Sequence, residues 1–180
     1  MPTGRRSLIV LVGLPGSGKS TVGRQLARRL GVNFTDSDHV IEQRIGCSIR
    51  SFFEREGEAA FRDVEETVLA DLLGAGDGVL ATGGGAVLRP ATRERLHASA
   101  TVIYLRSRPE DLFRRVRHDP SRPLLQVPDP LDRLRALDTE RDPLYRETAH
   151  VVIETGRPSV SALVSLIVAK LQLPGVPLPP

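Results

Sequence analysis

The stretch GLPGSGKS, residues 13–20, decides how the rest of this chain is interpreted. It matches the pattern G-x-x-x-x-G-K-[ST] in full, and Thr21 extends it. Glycines let the backbone curl so that successive N–H groups point inward, and a following helix adds its positive N-terminal end. The stretch therefore predicts a phosphate cradle, or P-loop, in which Lys19 reaches the β- and γ-phosphates and Ser20 binds Mg²⁺. The residues predicted to contact the nucleotide here are Gly16, Ser17, Gly18, Lys19, Ser20 and Thr21.

The neighbours of the P-loop support this interpretation. Ser7–Gly13 is a short apolar run typical of a strand buried on both faces. In the segment that follows, Val22, Leu26 and Leu30 recur at helical spacing, and Gly31 is a typical helix stop. A chance glycine turn, the alternative, would not explain why the loop holds one of only two lysines among 25 basic residues.

The remainder of the chain alternates between strand-like and helical segments. Further strands are predicted at Asn33–Asp36, Val79–Thr82, Thr101–Arg106 and His150–Glu154. Helices are predicted at Ile41 to Ile45, Ala59 to Leu73, Pro109 to Val116, Leu131 to Arg146 and Ser159 to Leu171. This alternation predicts an α/β fold, with a central parallel sheet and helices on both of its faces.

Composition limits the classes of function. A chain of 180 residues suits one domain, and Cys47, its only cysteine, cannot form an internal disulfide. The 25 basic residues are mixed with 22 acidic ones, and aromatic residues are only 4%, which argues against nucleic acid as a partner. No apolar run approaches the length of a membrane-spanning helix, so we expect a cytoplasmic location and no membrane partner.

Residues 117–130 read RHDPSRPLLQVPDP and have no helical periodicity. Long loops inside compact domains are often lids, and this one carries Arg122, which Pro123 keeps out of a helix. Such an arginine can neutralise charge on a transferring phosphoryl group. We therefore expect one domain over residues 1–172 with a lid at about 117–130, and a disordered tail at 173–180.

Two carboxylates follow the second predicted strand, at the edge where open α/β sheets bind ligands. Asp36 could hold Mg²⁺ directly or through water, and Asp38 could accept the proton of a substrate hydroxyl. The alternative is that Ser37 or Asp38 is a plain N-cap of the next helix. His39 is a rival base, although a solvated surface histidine fits its position better.

A glycine triplet and three arginines complete the candidate residues. Gly83–Gly85 follows a predicted strand and could direct backbone N–H groups at an anion or a hydroxyl-rich ligand, or could be a tight turn. Arg62, Arg115 and Arg146 each have an acidic residue four positions earlier. Each could therefore be half of an exposed helical ion pair instead of a ligand-binding group.

Taken together, these motifs resemble the shikimate kinase family. They occur in family-like order over residues 7–172: GLPGSGKST, DSD, FR at 61–62, GGG at 83–85, RPLL at 122–125 and PLYR at 143–146. The resemblance implies a three-layer P-loop kinase fold with a five-stranded parallel sheet in order 2-3-1-4-5 and a lid. It also implies transfer of the γ-phosphate of ATP, with Mg²⁺, to the 3-hydroxyl of shikimate.

The resemblance assigns roles to individual residues. Asp38 is similar to the aspartate that activates the shikimate hydroxyl, and Asp36 to the one near the magnesium. Arg62 and Arg146 resemble the pair that grips the carboxylate, and the glycine triplet, through Gly84 in particular, contacts the substrate. The remaining similarities concern the nucleotide: Arg122 resembles the lid arginine, Arg115 the arginine over adenine, and Pro158 a residue of the adenine loop.

Two other classes compete with this interpretation. A gluconate kinase shares a P-loop and an acidic second strand, but would not be expected to carry GGG together with RPLL and PLYR. A regulatory P-loop switch would need no pair of carboxylate-binding arginines, and the guanine signature N-K-x-D is absent from the sequence. We expect a monomer whose partner is shikimate.

Overall fold

The computed structural model describes residues 8–118 and 126–172. Five strands are present in these ranges: β1 (Leu8–Val12), β2 (Phe34–Asp36), β3 (Gly78–Ala81), β4 (Thr101–Arg106) and β5 (Val151–Glu154). The helices in these ranges are α1 (Lys19–Leu30), α2 (Ser37–Ile45), α3 (Ile49–Glu56), α4 (Glu58–Ala75), α5 (Pro90–Ser99), α6 (Pro109–Val116), α7 (Pro130–Thr148) and α8 (Val160–Leu171).

The strands form one parallel sheet in the order β2-β3-β1-β4-β5, which confirms the predicted topology. β1 lies at the centre, where Val10 is opposite Leu80 of β3 and Val102 of β4. All five residues of β1 are buried, as expected for a strand covered on both faces. The P-loop therefore leaves the sheet from its most central strand.

Side chains alternate between the two faces of the sheet and so divide the core into layers. Ile9 and Leu11 pack with α1 and α8 on one face. Val10 and Val12 pack on the other face with α4, α5, α6 and α7. A third, smaller apolar cluster around Ile41 joins α2, α3 and α4 beyond the edge of the sheet.

Two helices were not predicted from the sequence. α3 begins after Ser48, whose side chain accepts a hydrogen bond from the N–H of Ser51. α5 begins with Pro90 in its first turn, where the missing N–H of proline is harmless. The N-cap of α2 is neither of the two residues predicted for that position but Asp36, which accepts from the N–H of Asp38.

Part of the predicted lid lies outside the described residues, namely 119–125 with Arg122, and so does the predicted tail at 173–180. The described end of the lid segment leads directly into α7, which begins at Pro130. Across residues 8–118 and 126–172, every helix is too short or too polar to span a bilayer.

Candidate active site

The P-loop lies at the carboxyl end of β1 and leads into α1. Gly18 is the N-cap of α1 with φ 94°, a left-handed conformation that favours glycine. A β-carbon on Gly13 would lie 2.6 Å from the carbonyl oxygen of Leu105, so the loop packs closely against β4. In the described part of the chain, the N–H groups of Gly16 and Gly18 donate to no backbone acceptor. They are available to an anion at the N-terminus of α1.

Lys19 is held against the loop from which it projects. Its Nζ donates to the carbonyl oxygens of Gly13 and Leu14, at 2.7 and 2.9 Å, and the residue is only 8% exposed. The ammonium group therefore lies inside the curve of the P-loop. A fixed positive charge at this place suits the phosphates of a nucleotide.

A cavity of about 420 Å³ opens in front of the P-loop. Its lining combines residues of the P-loop with residues that follow β2 and β3 and residues at the end of α6. They are Pro15, Gly16, Gly18, Lys19, Ser20, Thr21, Asp36, Asp38, Thr82, Gly83, Gly84, Arg115 and Val116. The cavity therefore joins the predicted phosphate site to the predicted acceptor site.

Asp36 connects β2 to both the P-loop and α2. Its Oδ2 accepts from the hydroxyl of Ser20 at 2.7 Å, and its Oδ1 accepts from the N–H of Asp38 at 3.0 Å. Among the described residues, no group of three or more His, Cys, Asp or Glu could hold a metal by itself. Mg²⁺ commonly uses one or two protein oxygens and completes its shell with phosphate oxygens and water, so Ser20 and Asp36 fit this ion.

Asp38 has the properties of a general base. Burial raises the pKa of its carboxyl group to about 6, and the nearby charges of Asp36 and Glu65 act in the same direction, while Lys19 opposes them. A carboxylate that titrates near neutral pH can accept a proton more effectively than an ordinary aspartate. His39, the rival base, is exposed on α2.

The glycine triplet packs so closely against its neighbours that side chains would not fit. A β-carbon on Gly83 would lie 2.8 Å from Oδ1 of Asp38, and one on Gly84 would lie 2.6 Å from Cδ of Pro15. A β-carbon on Gly85 would overlap the guanidinium of Arg62. The triplet thus brings the P-loop, Asp38 and Arg62 together around one short turn, and no simple turn would require three such contacts.

Arg62 is not an ordinary surface arginine. Its side chain is 13% exposed, and its Nη1 donates to Oε1 of Glu65 at 2.7 Å. The predicted partner Glu58 is also near, at 3.5 Å, but the shorter bond goes to the buried Glu65. Burial raises the pKa of Glu65, while Arg62 and Arg141 act to lower it. The bond to Glu65 therefore orients the guanidinium of Arg62, which lies beside Gly85.

The structure does not bring Arg146 into this group. Its Nε donates to Asp142 at 2.9 Å and its side chain is 47% exposed, which fits the alternative of a helical ion pair. Arg141, on the same helix, is close enough to Glu65 for its charge to lower the pKa of that carboxyl group, and its side chain is hydrogen-bonded to the hydroxyl of Tyr145. Its buried Nε has no hydrogen-bond partner within the described residues. Arg141 is thus the second arginine beside the acceptor site.

The residues predicted to contact the nucleoside lie on α6 and in the loop after β5. Nη2 of Arg115 donates to the carbonyl oxygen of Thr155 at 2.8 Å. Asp111, the predicted ion-pair partner of Arg115, pairs with Arg114 instead. Pro158 lines a separate cavity of about 840 Å³ with Arg106, Arg108 and Arg157 among its other residues. The structure thus brings Arg115, but not Pro158, to the cavity of the P-loop.

Comparison with known proteins identifies the family. The family model described as shikimate kinase matches residues 15–172. The chain belongs to the shikimate kinase family. Members of this family are kinases that transfer a phosphoryl group from ATP to shikimate.

Individual shikimate kinases are similar to this chain over nearly its whole length. One from Paracidovorax citrulli is 64% identical over 171 residues, which cover 93% of each chain. The solved shikimate kinase from Acinetobacter baumannii in complex with shikimate has a TM-score of 0.88 at 46% identity, covering 92% of this chain and 93% of that one. A crystal structure of the enzyme from Bacteroides thetaiotaomicron has a TM-score of 0.87 at 30% identity, covering 93% and 99%.

Three residues of this shikimate kinase site escaped sequence reasoning, although helical periodicity carried a signal for each. Glu65 lies four positions after the buried Phe61, on the inward face of α4. Arg141 and Tyr145 continue the inward face of α7 from Leu137 at intervals of four residues. Arg146 falls outside this stripe.

Proposed function

We propose that this protein transfers the γ-phosphoryl group of ATP to the 3-hydroxyl of shikimate, giving shikimate 3-phosphate and ADP. The observation that carries the proposal is the position of Asp38, a carboxylate of raised pKa that lines the same cavity as Lys19 and Gly83. A base for the attacking hydroxyl and a positive charge for the phosphates thus share one space. Family membership supports the choice of acceptor.

The phosphate half of the mechanism depends on the P-loop. We infer that the backbone of residues 16–21 and the ammonium of Lys19 bind the polyphosphate, with Ser20 and Asp36 as the protein oxygens for Mg²⁺. When bound, the ion supplies charge neutralisation at the β- and γ-phosphates. The catalytic part of Lys19 is to hold a positive charge where negative charge develops during transfer.

The acceptor half depends on groups around the glycine triplet. Asp38 accepts the proton of the hydroxyl as its oxygen attacks phosphorus. Arg62 and Arg141 bind the shikimate carboxylate, because two guanidinium groups can each donate parallel bonds to a planar anion. In this proposal Arg141 takes the role first predicted for Arg146. The N–H groups of Gly83, Gly84 and Gly85 have no protein acceptor within the described residues and are free to contact substrate oxygens.

The nucleoside and the lid complete the proposal. Arg115, which lines the cavity of the P-loop, packs against the adenine, whereas Pro158 lines a separate cavity and its contact with the adenine stays a prediction. Arg122 lies outside the described residues, and its role at the phosphates stays a prediction. A monomer in the cytoplasm that binds neither nucleic acid nor membrane stays our prediction.

A phosphoacceptor panel tests the proposed function. The purified chain is incubated with ATP and Mg²⁺, and ADP release is measured with shikimate, with gluconate and without acceptor. We expect rapid release with shikimate alone and slow release in the other two reactions. A gluconate kinase would reverse the preference, and a regulatory switch would release ADP equally with and without acceptor. A calorimetric titration of shikimate, with and without ADP, measures the binding step separately.

A further inference from the structure

Tyr145 lies beneath the acceptor site without lining its cavity. The residue is fully buried, and its hydroxyl donates to the carbonyl oxygen of Gly84 at 2.5 Å. Arg141 lies one turn earlier on α7, and its guanidinium is hydrogen-bonded to the same hydroxyl. A tyrosine hydroxyl can donate one hydrogen bond and accept another. Tyr145 can therefore connect the glycine triplet to the second arginine of the site.

The hydrogen bond to Gly84 fixes more than one carbonyl. In a trans peptide the C=O and the following N–H point in opposite directions, so the direction of the Gly84 carbonyl sets the direction of the Gly85 N–H. Glycine has an unusually wide range of backbone conformations, and three in succession need an external constraint to keep one arrangement. The carbonyl oxygens of Gly83 and Gly85 accept backbone hydrogen bonds from the N–H groups of Ala86 and Leu88, so the peptide between Gly84 and Gly85 is the one that the bond from Tyr145 orients.

The hydroxyl of Tyr145 stays protonated at physiological pH. Burial raises the pKa of Tyr145 above its ordinary value, so the O–H remains a donor throughout the physiological range. The ring also packs at 4.9 Å from that of Tyr104, centroid to centroid, which fixes the side chain laterally. The hydroxyl of Tyr145 therefore keeps both its proton and its position.

We propose that Tyr145 is a positioning residue for the acceptor, which orients the peptide between Gly84 and Gly85 and the guanidinium of Arg141. This inference rests on the proposed function, because it assigns that turn and that arginine to the binding of the shikimate ring and its carboxylate. Tyr145 itself touches neither the acceptor nor the nucleotide. Its effect is expected in the KM for the acceptor.

The test is Tyr145→Phe, with Tyr104→Phe as its matched control. Tyr104 is equally buried, and its hydroxyl donates at 2.8 Å to Asp142, which does not belong to the glycine triplet. Both variants remove one buried hydroxyl bond, so similar losses of thermal stability are expected. For Tyr145→Phe we expect the KM for shikimate to rise about tenfold, with the KM for ATP and kcat within about twofold. Tyr104→Phe should leave all three constants near those of the wild type.

A second measurement does not depend on turnover. The amides of Ala86 and Leu88 donate to the carbonyl oxygens of Gly83 and Gly85, and their hydrogen exchange should accelerate in Tyr145→Phe and stay unchanged in Tyr104→Phe. Equal exchange at these amides and equal acceptor KM in the two variants would overturn the positioning role. If the wild type does not phosphorylate shikimate, the proposed function fails, and the exchange experiment still decides whether Tyr145 orients the triplet.

Discussion

Gly83 faces the carboxylate of Asp38 so closely that a β-carbon at position 83 would lie 2.8 Å from Oδ1. The absence of a side chain at this position leaves the carboxylate next to a backbone turn, away from bulk water. Burial is also the largest cause of the raised pKa of Asp38. The close approach of the turn after β3 therefore adds to the burial that raises the pKa of the proposed catalytic group.

Replacing Asp38 by asparagine should reduce kcat by about 10²–10⁴, because the amide keeps the shape of the side chain but cannot accept the proton. In the wild type, log kcat/KM should fall with decreasing pH below about 6, as Asp38 becomes protonated. Steady-state kinetics between pH 5 and 8 measure both effects. A variant with nearly normal kcat would reduce Asp38 to a structural role.

The same variant should be more stable than the wild type above pH 6. The folded pKa of Asp38 is raised from 3.8 to about 6, so the folded state favours the protonated carboxyl, and stability is lost as pH rises through 6. At pH 8 we expect Asp38→Asn to gain about 1–3 kcal/mol, the equivalent of a shift of this size. Urea unfolding at pH 8 and at pH 3.5 provides the comparison, since the gain should vanish at the lower pH.

Arg141→Ala and Arg146→Ala form a matched pair on α7. We expect Arg141→Ala to raise the KM for shikimate by about 10–100-fold with little change in the KM for ATP, because a charge-assisted bond to the carboxylate is lost. Arg146→Ala removes a half-exposed ion pair with Asp142 and should change either constant by less than twofold. The reverse order would return Arg146 to the substrate site.

His150→Asn should reduce the acid sensitivity of the fold. Nδ1 of His150 accepts from the N–H of Val102 at 2.9 Å, and its ring stacks on His97 at 4.0 Å. Burial, and then His97, lower the pKa of His150 below 6.5, so its stabilising contribution is present above pH 6.5 and is lost as pH falls through the lowered pKa.

An asparagine oxygen can accept the same hydrogen bond without becoming charged. The difference in unfolding free energy between the wild type and His150→Asn should therefore move in favour of the variant between pH 7.5 and 5. Thermal or urea melts at the two pH values check this. Parallel pH curves for the two proteins would contradict it.

Sequence patterns located the strands well because most of them are compact apolar runs; β2, with the sequence FTD, is the exception. All five predicted strands are present, and their order agrees with the one that the resemblance to the shikimate kinase family implied. α3 was missed although Ile49, Phe52 and Phe53 recur at helical spacing, because a helix of 8 residues is shorter than the window over which periodicity is read. α5 was missed because only Thr92 and Leu96 face the core, too few for a helical pattern.

Residues of the candidate site were predicted where a motif fixes the backbone geometry. They were missed where the position in a helical turn decides which way a side chain points. The P-loop and the two aspartates lie together as expected, since both follow strands of one sheet edge. The motif PLYR drew attention to Arg146, whereas the direction of a side chain on α7 depends on its position in the helical turn. Helical periodicity places Arg141 and Glu65 on inward faces of their helices, but it does not show that these two faces meet each other.

The scarcity of lysine has a practical consequence for single-molecule and surface work. Lys19 is buried in the P-loop, whereas Lys170, the other lysine, is exposed near the end of α8. Because α8 starts after the carboxyl end of β5 and packs along α1, it runs back towards the amino-terminal ends of the strands. Amine-reactive biotin or fluorophore esters that reach a lysine side chain will therefore attach at Lys170, on the far side from the nucleotide cavity. A protein tethered through this side chain should present its catalytic cleft to the solution.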